Sequence, residues 1–233
     1  MQSYLFSSFP EPPQAALVEM VRSLSGDQVN PLVAYLPAGN IKRHFVRQVK
    51  GFLRGVAEVS AIKPEVHTLK RAHSILNQAA LLLIPGGNTY LMAHRLHQMG
   101  IVMELRQRVL DGLPVITFSA GTVFCGQDVL TTNDINCCGC TQFEGLKLVP
   151  CNFNVHYPGL PGDEQLDRDE RLFEYQAFHD HPILALEDGA CLRLSPGLLD
   201  VVSGSVWKFS GGMKEKFTTL RWLPDTGMEI ATS

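Results

Sequence analysis

The 233-residue sequence has no apolar run approaching the ~20 residues that a membrane-crossing helix needs, so a membrane-spanning protein is not expected. Neither sign of charge is in excess. Twenty Lys and Arg stand against 23 Asp and Glu, a net charge of -3, and neither nucleic acid nor an anionic membrane is an expected partner. Met1 to Gln14 has no basic stretch followed by an apolar core, so no secretory leader is expected. The six cysteines are therefore expected as reduced thiols of a cytoplasmic protein. Three of them crowd at Cys137, Cys138 and Cys140, without the paired C-x-x-C arrangement or His partners of a zinc site. No metal and no other cofactor is expected. The phosphate-binding patterns G-x-G-x-x-G and G-x-x-x-x-G-K-[ST] are missing as well. No repeat, low-complexity segment or linker divides the chain, and residues 1–233 read as a single domain.

What is present is an alternation of strand-like and helix-like segments. Tyr4 to Ser7, Asn30 to Leu36, Glu65 to Leu69, Ala79 to Ile84 and Pro114 to Phe118 read as strands. Ala15 to Leu24, Lys42 to Val56, Thr89 to Gln98 and Val102 to Leu110 have helical spacing. This order predicts an α/β fold with a mainly parallel sheet and helices on both faces. From Pro182 onward, short strands separated by Gly turns predict an antiparallel extension of that sheet.

The apolar strand Val115 to Phe118 runs straight into Ser119, and Ala120 and Gly121 follow it. A nucleophile elbow needs small neighbours of this kind, because the chain folds back sharply around the exposed hydroxyl. The amide of Ala120 would then open a helix, where it can stabilise an oxyanion. The match to G-x-S-x-G is partial, since Thr117 stands where the first Gly belongs. Ser119 also suits an ordinary helix N-cap. Pro85-Gly86-Gly87-Asn88-Thr89 ends another strand, where parallel sheets place ligands. It reads as a source of a second oxyanion donor or as a plain turn. A Ser nucleophile needs a base. His156 follows a strand-like run, and His179 and His181 flank Asp180 in a loop. The strand end favours His156.

Together Pro85-Gly86-Gly87-Asn88-Thr89, Phe118-Ser119-Ala120-Gly121, Thr131-Thr132-Asn133-Asp134 and Asn154-Val155-His156-Tyr157 resemble, in order and spacing, the dipeptidase E or α-aspartyl dipeptidase family, relatives of cyanophycinase. The resemblance covers about Ala79 to Arg171. It implies a flavodoxin-like sandwich of the class I glutamine amidotransferase type. It also implies a serine exopeptidase that cleaves short peptides with an N-terminal aspartate (Asp-X) through an acyl-enzyme. Ser119 would be the nucleophile, His156 the base and Asp134 the third triad member. Gly87 and Ala120 match the oxyanion-hole positions, with Asn88 beside them as a substrate-binding candidate. Arg168, or Arg171 in the same acidic segment, would read the aspartate side chain, although a solvated helix face explains such arginines equally well. The partner implied is a small peptide, the enzyme acting as a monomer or homodimer. A same-fold hydrolase of different specificity, a cyanophycinase-like enzyme and a non-catalytic binding protein are the alternatives.

Overall fold

The computed structural model describes residues 2–40 and 44–223. Strand β4 (Leu81–Ile84) is Leu-Leu-Leu-Ile and buried along its whole length. It pairs in parallel with β2 (Leu32–Tyr35) on one side and β5 (Val115–Phe118) on the other. A strand covered on both faces has no polar side, hence the continuous apolar runs. β3 (Glu58–Ala61) lies outside β2, and β1 (Ser3–Phe6) lies outside β5. The order β3-β2-β4-β5 is that of a doubly wound sheet, with the first strand of the chain filling the next place.

Helices α1 (Pro13–Ser25) and α2 (His44–Phe52) bring Leu17, Val21 and Phe52 to one face of the sheet. Helices α3 (Leu69–Gln78), α4 (Thr89–Met99) and α5 (Val102–Leu110) bury Leu76, Met92 and Leu105 in the larger core on the other face. Their ends obey local chemistry. Thr68 caps α3 by accepting from the amide of Arg71, and α4 stops at Gly100, whose left-handed φ of 72° suits glycine.

The segment 65–69, expected as a strand, is instead a turn leading to the Thr68 cap. The strand is Glu58–Ala61, which begins six residues after the end of α2 and forms the edge of the sheet. The helix expected over 42–56 is observed over His44–Phe52; residues 42 and 43 lie outside the described residues, and 53–56 form a turn.

The C-terminal strands serve two sheets. β8 (Cys191–Ser195) pairs antiparallel with β1, β9 (Leu198–Ser203) antiparallel with β8, and β12 (Thr219–Arg221) antiparallel with β9, which brings the main sheet to eight strands. β6 (Asn152–Tyr157), β7 (Ile183–Glu187), β10 (Val206–Ser210) and β11 (Met213–Lys216) form a separate four-stranded sheet. Within it β6 and β7 run parallel, joined by helix α7 (Asp163–Gln176). Among the described residues, no helix is long and apolar enough to cross a membrane.

Candidate active site

The sheet presents three loops at the C-terminal ends of β2, β4 and β5, beside the point where strand order reverses. The first is Leu36 to Asn40, the second Pro85 to Asn88, and the third is Ser119 with the short helix α6 (Ala120–Val123). Ser119 has φ 54° and ψ -121°, a conformation that a side chain disfavours. The surroundings hold it there. Its amide donates to the carbonyls of Phe6 and Ser7 at 3.1 and 2.9 Å, and its carbonyl accepts from Thr122 and Val123.

The neighbours of Ser119 are small because backbone passes close by. A Cβ on Gly86 would sit 3.0 Å from the Cβ of Ser119, and one on Gly121 would collide with the carbonyl of Ile84. Thr117, at the place of the usual elbow Gly, is buried and its hydroxyl meets that of Thr122 at 2.8 Å. Thr122 in turn donates to the carbonyl of Phe6, so Thr117 is the donor between the two hydroxyls. The departure from the Gly pattern therefore adds a tie across the turn. Cys125 follows inside the core, where burial pushes its thiol up to about 12, far from nucleophilic.

His156 lies on β6 at a register shift between Val155 and Tyr157, with φ 54°. The irregularity turns its ring out of the sheet, a known use of a bulge beside a reactive site. Nε2 of His156 is 3.0 Å from Oγ of Ser119, and Nδ1 is 2.6 Å from a carboxylate oxygen of Asp188. A carboxylate only accepts, so Nδ1 carries the proton and Nε2 is left to accept from the Ser119 hydroxyl. Asp188 occupies the turn Glu187–Ala190 that follows β7. Gly189, at φ 83°, takes the third place of that turn, which a type II geometry reserves for glycine. Because β7 runs parallel to β6, its end delivers Asp188 beside the His156 ring.

The expected contact between Asp134 and His156 is not made, and this corrects the triad inferred from the resemblance. Asp134 accepts from the amide and the hydroxyl of Thr89, both at 2.7 Å, and from the hydroxyl of Thr132. It is an anion at the N-terminus of α4, where free amides and the helix dipole favour negative charge. The side chain of Asn88, expected beside the substrate, caps α4 by accepting from the amide of Leu91 and donates to the carbonyl of Ile135.

Gly87 is placed against the neighbouring loop. Its φ is 137°, and a Cβ there would strike the carbonyl of Gly39. Asn40 donates to the carbonyl of Gly86, and Arg95 donates to the carbonyls of Ala38 and Asn40, so α4 braces both loops. Arg168, on α7, is half-buried and donates to the side-chain oxygen of Asn154 at 3.0 Å, two residues before His156 on β6. Asn154 is itself held by donating to Asn133 and to the carbonyl of Thr131. Burial holds the Arg168 guanidinium below its ordinary pKa, while Glu164 one turn earlier opposes that shift. Arg171 is exposed on the same helix. The cysteine loop is closed by Asn136, which exchanges two hydrogen bonds with the backbone of Cys140. Among the described residues no group of three or more His, Cys, Asp or Glu is arranged to hold a metal.

Two residues at this site escaped the sequence reading. Asp188 is one, and the Asp-Gly pair after an apolar strand was its only local signal. The other is Ser7, fully buried at the end of β1. Its carbonyl accepts from Ser119, its hydroxyl accepts from the amide of His156 at 2.8 Å, and that hydroxyl donates to Leu186. One residue thus ties the turn of Ser119 to the strands carrying His156 and Asp188. Ser7→Ala leaves the His156 amide and the Leu186 carbonyl without their partner, a loss of about 1–3 kcal/mol. Thermal unfolding of the variant is expected to show it, and an unchanged melting temperature would contradict this linking role.

Residues 6–202 match the family described as peptidase family S51, and the chain belongs to that family. A Drosophila melanogaster protein named "Probable alpha-aspartyl dipeptidase" is 34% identical over 157 residues, covering 64% of this chain and 65% of its own length. Peptidase E of Haemophilus influenzae is 26% identical over 184 residues, covering 78% of this chain and 84% of its own. The fold is shared with the crystal structure of a peptidase from an acI-B1 Actinobacterium, with a TM-score of 0.68 at 16% identity over 95% of this chain and 96% of that one.

Proposed function

We propose that this chain is a serine exopeptidase that removes an N-terminal aspartate from dipeptides through a Ser119–His156–Asp188 triad. The observation that carries the reading is the line of hydrogen bonds from Ser119 Oγ to His156 Nε2 and from His156 Nδ1 to Asp188, at 3.0 and 2.6 Å, on a strained turn. Ser119 attacks the scissile carbonyl while His156 takes its proton. His156 then returns that proton to the leaving amine, and water hydrolyses the acyl-enzyme by the same route. Asp188 holds the Nδ1–H tautomer and stabilises the imidazolium that forms. The amides of Gly87 and Ala120 are assigned to the oxyanion, each such donor being worth roughly 3 kcal/mol.

Arg168 is assigned to the aspartate side chain. The hydrogen-bond partner it already has, Asn154, is neutral, and Glu164 one turn earlier acts on it through charge, so the half-buried guanidinium can still form a charge-assisted bond to a substrate carboxylate. The name of the Drosophila relative supports the same choice. Arg168→Ala is expected to lower kcat/KM for Asp-Ala on the order of 10²-fold relative to Ala-Ala, as for other truncations of one member of a buried charge pair. A steady-state comparison of the two dipeptides checks it, and a preserved Asp preference would remove Arg168 from the role. The six cysteines are free thiols, which suits the cytoplasmic location we adopt, with a monomer or homodimer as the acting form. Fluorophosphonate labelling of Ser119, together with hydrolysis of Asp-X, tests the proposal as a whole.

A further inference from the structure

An apolar pocket of about 300 Å³ opens beside the nucleophile on the α1–α2 face of the main sheet. Tyr35 and Leu83 line it from the sheet, Leu17 from α1, and Val49 and Phe52 from α2. Phe9 and Phe118 complete it, their ring centroids 5.0 Å apart. Two of its walls adjoin the reacting centre. Phe118 immediately precedes Ser119, and the Gly86-Gly87 backbone also lines the pocket. A Cβ on Gly86 would lie 3.3 Å from the Ser119 hydroxyl, so the Gly86 backbone passes beside the nucleophile.

We propose that this pocket receives a large apolar side chain, leucine- or phenylalanine-like, of the residue released as the free amine. The inference rests on the dipeptidase reading above and adds the chemistry of the second residue. Size limits the occupant. Ligand pockets run from roughly 300 to 1,000 Å³, and this one is at the small end, suited to one side chain rather than to an extended chain. Charge limits it further. Among the described residues lining the pocket there is no Asp, Glu, Lys or Arg, and the polar side chains are those of Tyr35, Asn40 and Gln48, so a charged side chain would lose hydration without meeting an opposite charge among them. The Tyr35 hydroxyl adds no charge, because burial raises its pKa.

Elimination decides which substrate residue goes there. Leu17, Tyr35, Phe52, Leu83 and Phe118 belong to the packing cluster on the α1–α2 face of the main sheet. Arg168, assigned above to the aspartate side chain, is on α7 and is not among the residues that line this pocket. An aspartate held by Arg168 therefore leaves the pocket for the neighbouring residue.

The test is a panel of dipeptides with the full-length wild-type protein, beside fluorophosphonate labelling of Ser119. The expected kcat/KM for Asp-Leu and Asp-Phe is at least tenfold above that for Asp-Ala, since each additional methylene in an apolar pocket brings about a tenfold preference or more. Val49→Asp, checked for folding by circular dichroism, is expected to bring that ratio close to one. A flat wild-type ratio with Ser119 still labelled overturns the pocket assignment alone. An apolar preference at the first residue, Leu-Ala above Asp-Ala, overturns the pocket assignment together with the aspartate specificity beneath it, while Ser119 labelling keeps the nucleophile assignment. Failure to cleave any Asp-X substrate, with no labelling, overturns both this inference and the dipeptidase reading beneath it.

Discussion

Ser119→Ala is expected to lower Asp-X hydrolysis by more than about 10⁴-fold while leaving the fold intact. The scale follows from the division of labour at the turn. The hydroxyl supplies the nucleophile, and its hydrogen bond in the structure is to His156 Nε2. The backbone of Ser119 carries the architecture, through two carbonyls of β1 and its end and through the first amides of α6. Alanine keeps every one of those backbone bonds. It also keeps the strain, because a φ of 54° with ψ near -120° is as unfavourable for Ala as for Ser. Glycine removes that strain. Ser119→Gly is therefore expected to be equally inactive but to melt at a higher temperature than Ser119→Ala, by an amount equivalent to about 1 kcal/mol or more. Thermal denaturation of the two variants, side by side with Asp-Ala assays, measures both effects. Retained activity in Ser119→Ala would end the nucleophile assignment. Equal melting temperatures would show that the turn is not strained.

The parts of this arrangement that were legible in the sequence are those specified by neighbouring residues. Leu81–Ile84 and Val115–Phe118 announce themselves because strands covered on both faces need continuous apolar runs. The Ser-Ala-Gly turn announces itself because the Ile84 carbonyl leaves no room for a side chain at Gly121. His156 is legible as the end of a strand. β3 is not, since Glu-Val-Ser-Ala at a sheet edge has one buried residue and no apolar run. The separate four-stranded sheet is not legible either. A run of short strands with Gly turns looks the same whether each strand joins its neighbour or alternates between two sheets. Asp188 was hidden for this reason. Its place beside His156 depends on β7 pairing in parallel with β6 across the whole of α7, a contact that no local spacing encodes. Asp134, conversely, sits in a conspicuous polar loop whose chemistry serves the start of α4.

That exchange of acids leads to the second large expected effect. Asp188→Asn is expected to lower kcat by roughly 10²–10⁴-fold with little change in stability, because the neutral amide no longer stabilises the imidazolium or enforces the Nδ1–H tautomer. The side chain of Asp188 is 65% exposed and that of His156 44% exposed, so water can partly replace the carboxylate, which favours the lower part of that range. Asp134→Asn is expected to behave oppositely. It removes a negative charge and weakens accepted hydrogen bonds at the first turn of an eleven-residue helix, at a cost of about 1–2 kcal/mol. Its kcat should stay within about threefold of wild type, since Asp134 touches Thr89 and Thr132 rather than the His156 ring. Steady-state assays on Asp-Ala and urea unfolding of both variants separate the two roles cleanly. A catalytic collapse in Asp134→Asn alongside a near-normal Asp188→Asn would return the third triad position to Asp134. It would also require the loop carrying Asp134 to leave the α4 terminus and reach His156 when substrate binds, which the three hydrogen bonds that Asp134 accepts from Thr89 and Thr132 oppose.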